Sequence, residues 1–213
     1  KEISIAVREG GPDPVSNTRL RDLIQKAKAN NVPNDNIDRV IKKAAGGDGA
    51  QYEVVVYEGY GVGGVAVIVE TTTDNRNRTA ADIRHYFDKC GGNMGTTGCV
   101  SFMFADKGVI VVDGKSVADE DRFMEDVMEC GAIDFTGDDG IFEVFTDPSE
   151  LSGVRDALAA KGYVFLSAEP EKIPNTYVRL DDEEQRAKMS KLLGLLEDND
   201  DVQNVWHNWE DDE

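Results

Sequence analysis

The run TTTDNRNRTAADIRHYF, Thr71–Phe87, holds the residues of this chain best suited to chemistry. Arg76 and Arg78 stand two apart where a threonine-rich strand gives way to a helical pattern, and Asn75 and Asn77 alternate with them. Thr79 followed by Asp82 has the spacing of a capping box, in which the hydroxyl satisfies an unpaired amide and the carboxylate reaches back. That spacing predicts a helix from about Thr79 to Lys89, burying Ala80, Ile83 and Phe87. The arginines then precede a helix N-terminus, where free amides and the positive dipole end attract anions. Guanidinium groups bind phosphate through paired donors, and the asparagines can add further bonds. Arg84, farther along the helix, extends the patch. The competing reading is that Asp74 and Asp82 neutralise the arginines and merely order the loop.

Other constellations are thin. GYGVGG (Gly59–Gly64) is glycine-rich, but a dinucleotide fingerprint needs a helix directly afterwards, and VAVIVE is a strand pattern. A turn between paired strands is the expectation. His85 and His207 have no neighbour at metal-ligand spacing, and no serine or cysteine lies in a nucleophile motif. Asp113, Asp119, Glu120 and Asp121 lack the calcium-loop pattern. FMEDVMECG and DDEEQ read as solvated helix faces. No catalytic residue, metal site or cofactor is expected, and no enzymatic activity.

The 213 residues have a formal net charge of −19, with 23 Lys and Arg against 42 Asp and Glu. A large acidic excess opposes polyanions, yet the field that acts is local and screened beyond about 10 Å. The acid is unevenly spread. Residues 1–50 net +2, 51–107 net −2, 108–172 net −11 and 173–213 net −8. Any phosphate site therefore belongs to the first half. Hydrophobic residues at 40% indicate a soluble globular chain, and no apolar run nears the roughly 18 residues a bilayer span requires. The opening KEISIAVREGG lacks a long apolar core, and Cys90, Cys99 and Cys130 form no C-x-x-C pair, so a reducing cytoplasm is the expected setting.

The elements that would position the chemistry follow from periodicity. Residues 1–50 read as short helices: ISIAV up to Gly10-Gly11, then NTRLRDLIQKAKANN with Leu20, Leu23, Ile24 and Ala27 on one face. VPNDNIDRVIKKAAGG repeats the pattern with Ile37, Val40, Ile41 and Ala44. Arg19, Arg21, Lys26, Lys28, Arg39, Lys42 and Lys43 lie mainly off those stripes and form a candidate basic face. From 51 the period becomes two, with QYEVVVYE and GGVAVIVETTT as strands and CVSFMFADKGVIVV hairpin-like. Residues 108–172 read βαββαβ, the ferredoxin-like order. TYVRL, DDEEQRAKMSKLLGLLEDN and DVQNVWHNW then read as a further βαβ piece. The expected fold is α+β in three domains: helical 1–50, an α/β middle domain of 51–107 with 173–213, and an acidic ferredoxin-like insert at 108–172.

YEGYGVGGVAVIVE, TDNRNRTAADIRHYFDKCGGNMG and the following SFMF…KGVI resemble the YebC-type family, which includes the mitochondrial translational activators of cytochrome c oxidase subunit one. GGPDPVSNTRLRDLIQKAKANNVPNDNIDRVIKKAAG is similar to that family's helical first domain. The resemblance covers nearly the whole chain and implies three domains, no enzymatic activity, and a cytoplasmic DNA-binding transcriptional regulator. A ribosome-associated translation factor relieving stalling at proline-rich stretches, through ribosomal or transfer RNA and ribosomal proteins, is the alternative. The family carries a basic segment ahead of the position of Lys1. No membrane or small-molecule partner is expected, and the expected state is a monomer.

Overall fold

The structure, a computed structural model, describes residues 1–210. The last three residues of the predicted 173–213 segment lie outside the described residues. The described residues divide into two compact units, residues 1–100 with 179–205 and residues 101–178 with 206–210. Mixed α+β architecture holds in both.

The first unit opens with α1 (Glu2–Gly10), α2 (Thr18–Ala29) and α3 (Asn34–Ala45). Their stripes meet in a small core of Ala6, Val7, Leu20 and Ala44, flanked by Ile3, Leu23, Ile24 and Ile41. Asn17 caps α2 by accepting from Leu20 N at 3.0 Å, while its amide donates to the carbonyls of Ala6 and Gly11. One buried polar side chain thus ties α1 to α2.

Next comes an antiparallel hairpin of β1 (Glu53–Tyr60) and β2 (Ala66–Thr73), central in a sheet ordered β3-β1-β2-β9. The glycines of GYGVGG form its connection, with Gly61 N donating to Val65 O. A side chain at Gly63 would need a positive φ of 70° and would meet Leu180 at 2.4 Å, so only glycine fits. β2 is buried along almost all its length, which explains the unbroken apolar run VAVIV, Val65–Val69. α4 (Arg76–Lys89) and α7 (Glu183–Glu197) pack against each other, contributing fully buried Ile83, Phe87, Met189, Leu192 and Leu196. Each such side chain contributes about 1.5–3 kcal/mol. β3 (Asn93–Met94) pairs with β1 in the glycine-rich loop, which buried Glu58 holds by accepting from Gly98 N and Val100 N.

The second unit is β4 (Phe104–Asp113), α5 (Glu120–Glu129), β5 (Asp134–Asp138), β6 (Ile141–Thr146), α6 (Leu151–Ala160) and β7 (Phe165–Pro174). The sheet order β5-β6-β4-β7 is that of a ferredoxin-like fold, with both central strands non-consecutive. Its core joins Ile110, Val112, Phe142 and Val144 of the sheet to Phe123, Val127, Val154 and Leu158 of the helices.

Three expectations need correction. CVSFMFADKGVIVV contains no hairpin: after a 3-10 turn at Ser101–Met103, β4 runs straight through Gly108. That glycine is there for close approach, since a side chain would meet Thr146 Oγ1 at 2.3 Å and Leu151 Cβ at 2.9 Å. TYVRL and DVQNVWHNW do not form one βαβ piece either. β8 (Val178–Arg179) pairs with β10 (Trp209–Glu210), whereas β9 (Val202–His207) joins the sheet of β2. Finally, α4 begins three residues before Thr79, with the consequences described next.

Candidate nucleic-acid interface

α4 starts where Asn75 turns its side chain to cap it, accepting from Arg78 N at 3.1 Å. An asparagine competes well for that role, and it wins here over Thr79. Thr79 instead lies in the first turn, fully buried. Asn75 N donates to Thr73 Oγ1 at 2.9 Å, and the Thr73 and Thr79 hydroxyls are 2.7 Å apart. Thr79 Oγ1 in turn reaches Asp201 Oδ2 at 2.8 Å. With one proton per hydroxyl, these contacts form a single donor chain ending on a carboxylate.

Asp201 sits among the acids of EDNDD and carries no distinguishing mark in the sequence. In the fold it is buried beside the mouth of α4. Its backbone carbonyl accepts from Thr72 N at 2.7 Å, which fixes it on the edge of β2. Lys1 Nζ donates to Oδ1 at 2.8 Å and Arg78 Nη2 to Oδ2 at 2.9 Å. Burial alone would raise its pKa, but bonds from Lys1, Arg78 and Thr79 hold it well below the usual carboxylate range. A sequence signal for this partnership is absent, because 122 residues separate Thr79 from Asp201.

The early helix start also separates the two arginines. On a helix, residues two apart point about 200° from each other. Arg78 is committed to Asp201 and to Asp74 at 3.1 Å, while Arg76 turns towards Glu53 of β1 at 3.6 Å. The predicted phosphate clamp of Arg76 and Arg78 therefore does not form, and a carboxylate of the chain itself occupies the anion-attracting corner. Asn75 commits its Oδ1 to the cap, which leaves only its Nδ2 group to donate. Arg76 keeps an exposed side chain, and Arg84 and Asn77 are exposed on one flank of α4.

The seven candidate basic residues of α2 and α3 are all exposed, but they do not share one face. On α2, Arg19 and Lys26 lie on one flank of the buried stripe and Arg21 and Lys28 on the other. Arg19 is paired with Glu9 of α1. On α3, Arg39, Lys42 and Lys43 gather opposite Ile37 and Ala44. Arg39 donates to Asn36 Oδ1 at 2.8 Å, and none of the three makes an ion pair among the described residues. Lys26, Lys28, Lys42 and Lys43 also fall in the last turns of their helices, where cations favour the dipole. The α3 face is thus the most open basic surface in the set.

Residues 1–47 match the description "TACO1/YebC protein N-terminal domain" and residues 52–209 match "TACO1/YebC second and third domain". The chain belongs to the TACO1/YebC family. It is 58% identical, over 100% of its length and 86% of the relative's, to a "probable transcriptional regulatory protein" of Ruminiclostridium cellulolyticum. A protein of the same description from Clostridioides difficile is 54% identical over 99% of this chain and 88% of its own. The crystal structure of a conserved hypothetical protein from Aquifex aeolicus superposes with a TM-score of 0.89 at 46% identity, covering 98% of this chain and 86% of that one.

Two of the four acids that lack the calcium-loop pattern serve as caps. Asp113 caps a turn at Lys115 N, and Asp119 caps α5 at Asp121 N and Arg122 N. Among the described residues no group of three or more potential metal ligands forms, and no helix is long and apolar enough to cross a membrane.

Proposed function

We propose that the protein is a non-enzymatic regulator of gene expression that binds nucleic acid through phosphate contacts, with DNA as target. The observation that carries this reading is the α3 face, where Arg39, Lys42 and Lys43 stand together in solvent without carboxylate partners among the described residues. Lys26, Lys28 and Arg21 on α2, with Arg76 and Arg84 on α4, are the supporting contacts. The names of the relatives agree with a regulatory role. In this reading residues 1–50 make the nucleic-acid contacts, 51–107 with 173–213 form the scaffold, and 108–172 is an acidic insert, all acting in the cytoplasm.

The second reading, a ribosome-associated translation factor, is favoured by one observation. Base readout by a recognition helix needs suitable side chains in its first turn. The first turn of α3 carries Asp35, and its two lysines lie in the last turn. Such a helix suits a target selected by shape, as structured RNA is.

The test is a variant with Arg39→Glu, Lys42→Glu and Lys43→Glu, measured against duplex DNA and by co-sedimentation with ribosomes at matched salt. Each lost duplex phosphate contact lowers the salt slope by about 0.9. A fall in DNA affinity with a shallower slope supports the first reading; a fall only in ribosome binding supports the second. Unchanged affinity for both refutes the α3 face.

A further inference from the structure

A cavity of about 600 Å³ opens where the ends of α1 and α3 meet the loop that leads into β1. Its walls all belong to the first unit, and its size is that of a small-molecule cleft, roughly 300–1,000 Å³. The floor is apolar, made by Val7 and Ala44 of the helical core. The rim is polar, with exposed Arg8 and Gln51 beside half-buried Tyr52. Arg8 is little used by the fold. Its Nη2 donates to the Gly49 carbonyl at 3.5 Å, which is long for a hydrogen bond, and it makes no ion pair among the described residues. The neighbouring glutamates are engaged elsewhere, Glu9 with Arg19 and Glu53 with Arg76. Asp48 stands in the loop but does not line the cavity. The α3 basic face begins at the same place. A Cβ added at Gly49 would meet Lys43 Cε at 3.0 Å, so the lysine stem runs along the loop that forms the wall.

We propose that this cavity takes one unpaired nucleotide of a nucleic-acid strand, an inference that rests on nucleic-acid binding by the adjoining α3 face. The walls match a nucleotide part by part. A base has apolar faces and a polar edge. Val7, Ala44 and the Tyr52 ring suit the faces, since bases stack on aromatic side chains. The Gln51 amide carries both donors and an acceptor, and such a group pairs with adenine through two bonds. The Arg8 guanidinium offers paired donors to the phosphate. Other guests fit less of the site. A bare phosphate would leave the apolar floor wet, and an apolar side chain would leave Arg8 and Gln51 without partners. A base inside a duplex stack cannot enter, and turning one out costs least where it is already unpaired. The cavity therefore selects a bulge, loop or strand end over a paired helix.

The test uses the full chain and labelled duplexes of DNA and of RNA, each either fully paired or carrying one bulged adenosine, with anisotropy as the readout at matched salt. The bulged form of at least one polymer should bind about tenfold tighter than its paired form. Ala45→Trp fills the cavity from an exposed position on the last turn of α3 without altering charge. It should abolish the preference while leaving affinity for the paired duplex unchanged. Gln51→Ala, in an exposed loop, guards against a folding defect and should reduce the preference in the same direction. Arg8→Gln should lower affinity for the bulged strand by about threefold. Equal affinity for bulged and paired strands would overturn the proposal, as would a preference that survives Ala45→Trp. Free adenosine monophosphate binding as tightly as the bulged strand would assign the cavity to a small molecule and overturn it too. The triple α3 variant separates the two readings. If it binds paired duplex normally, the α3 face is refuted while the tenfold ratio still stands; if bulged and paired strands bind alike, the cavity is refuted and the α3 face remains.

Discussion

Three donors meet around the Asp201 carboxylate, from Lys1, Arg78 and Thr79. Asp201→Asn removes the charge that holds them and should destabilise the fold by about 1–3 kcal/mol, with solvent access to Arg78 keeping the loss towards the lower value. The pH dependence has a definite sign. The folded-state pKa lies below the unfolded value of about 3.9, so the contribution is full above that value and drains away as acid is added below it. Urea midpoints of wild type and Asp201→Asn should differ at neutral pH and converge in acid. Tyr163 behaves oppositely. Burial, and a bond donated to Asp126 Oδ2 at 2.6 Å, push its phenol up to about 12 from 10.0. Its neutral form stabilises the fold fully below pH 10.0, and that part is lost as pH rises towards about 12. Tyr163→Phe should remove this step from an alkaline unfolding curve. Neither role was legible in sequence. Asp201 looked like one acid among many, and the Tyr163 partner lies 37 residues away.

At the scale of elements, α4 shows how a local signal can be read correctly in kind and wrongly in place. Both Asn75 and Thr79 are good caps, and periodicity alone does not choose between them. The choice falls to Asn75 because Thr79 is needed inward, against Thr73 and Asp201. Moving the start by one turn swings Arg76 and Arg78 to different sides and dissolves the predicted clamp. Asn75→Ala should cost about 1 kcal/mol and lower the thermal midpoint by about 2–4 °C in a scanning calorimeter. Thr79→Ala should cost at least as much despite not being the cap, because it breaks a buried donor chain. By contrast α2, α3, α5, α6 and α7 were legible as helices, and β2 as a buried strand, since their apolar spacing reports directly which side faces a core. CVSFMFADKGVIVV looked hairpin-like because a glycine that admits a neighbouring helix, as Gly108 does, looks the same in sequence as one that bends the chain.

For the whole molecule, a net charge of −19 repels the polyanion that the α3 face would bind. Repulsion acts over the Debye length, about 30 Å at 0.01 M salt and about 8 Å at 0.15 M. Glu125→Gln combined with Asp156→Asn, both exposed in the acidic unit, should raise the association rate with duplex DNA by about twofold at low salt and leave it unchanged at physiological salt. Stopped-flow fluorescence at the two ionic strengths measures this. The sequence by itself determined the helical start, the ferredoxin-like βαββαβ order, the segregation of charge and the kinship, because each is written in neighbouring residues or in composition. Tertiary structure alone decided what the charges do: which arginine meets which carboxylate and which lysines share a face. Those outcomes depend on contacts between residues far apart in the chain, and a charge's role is set by what burial and distance leave beside it, which no local pattern encodes.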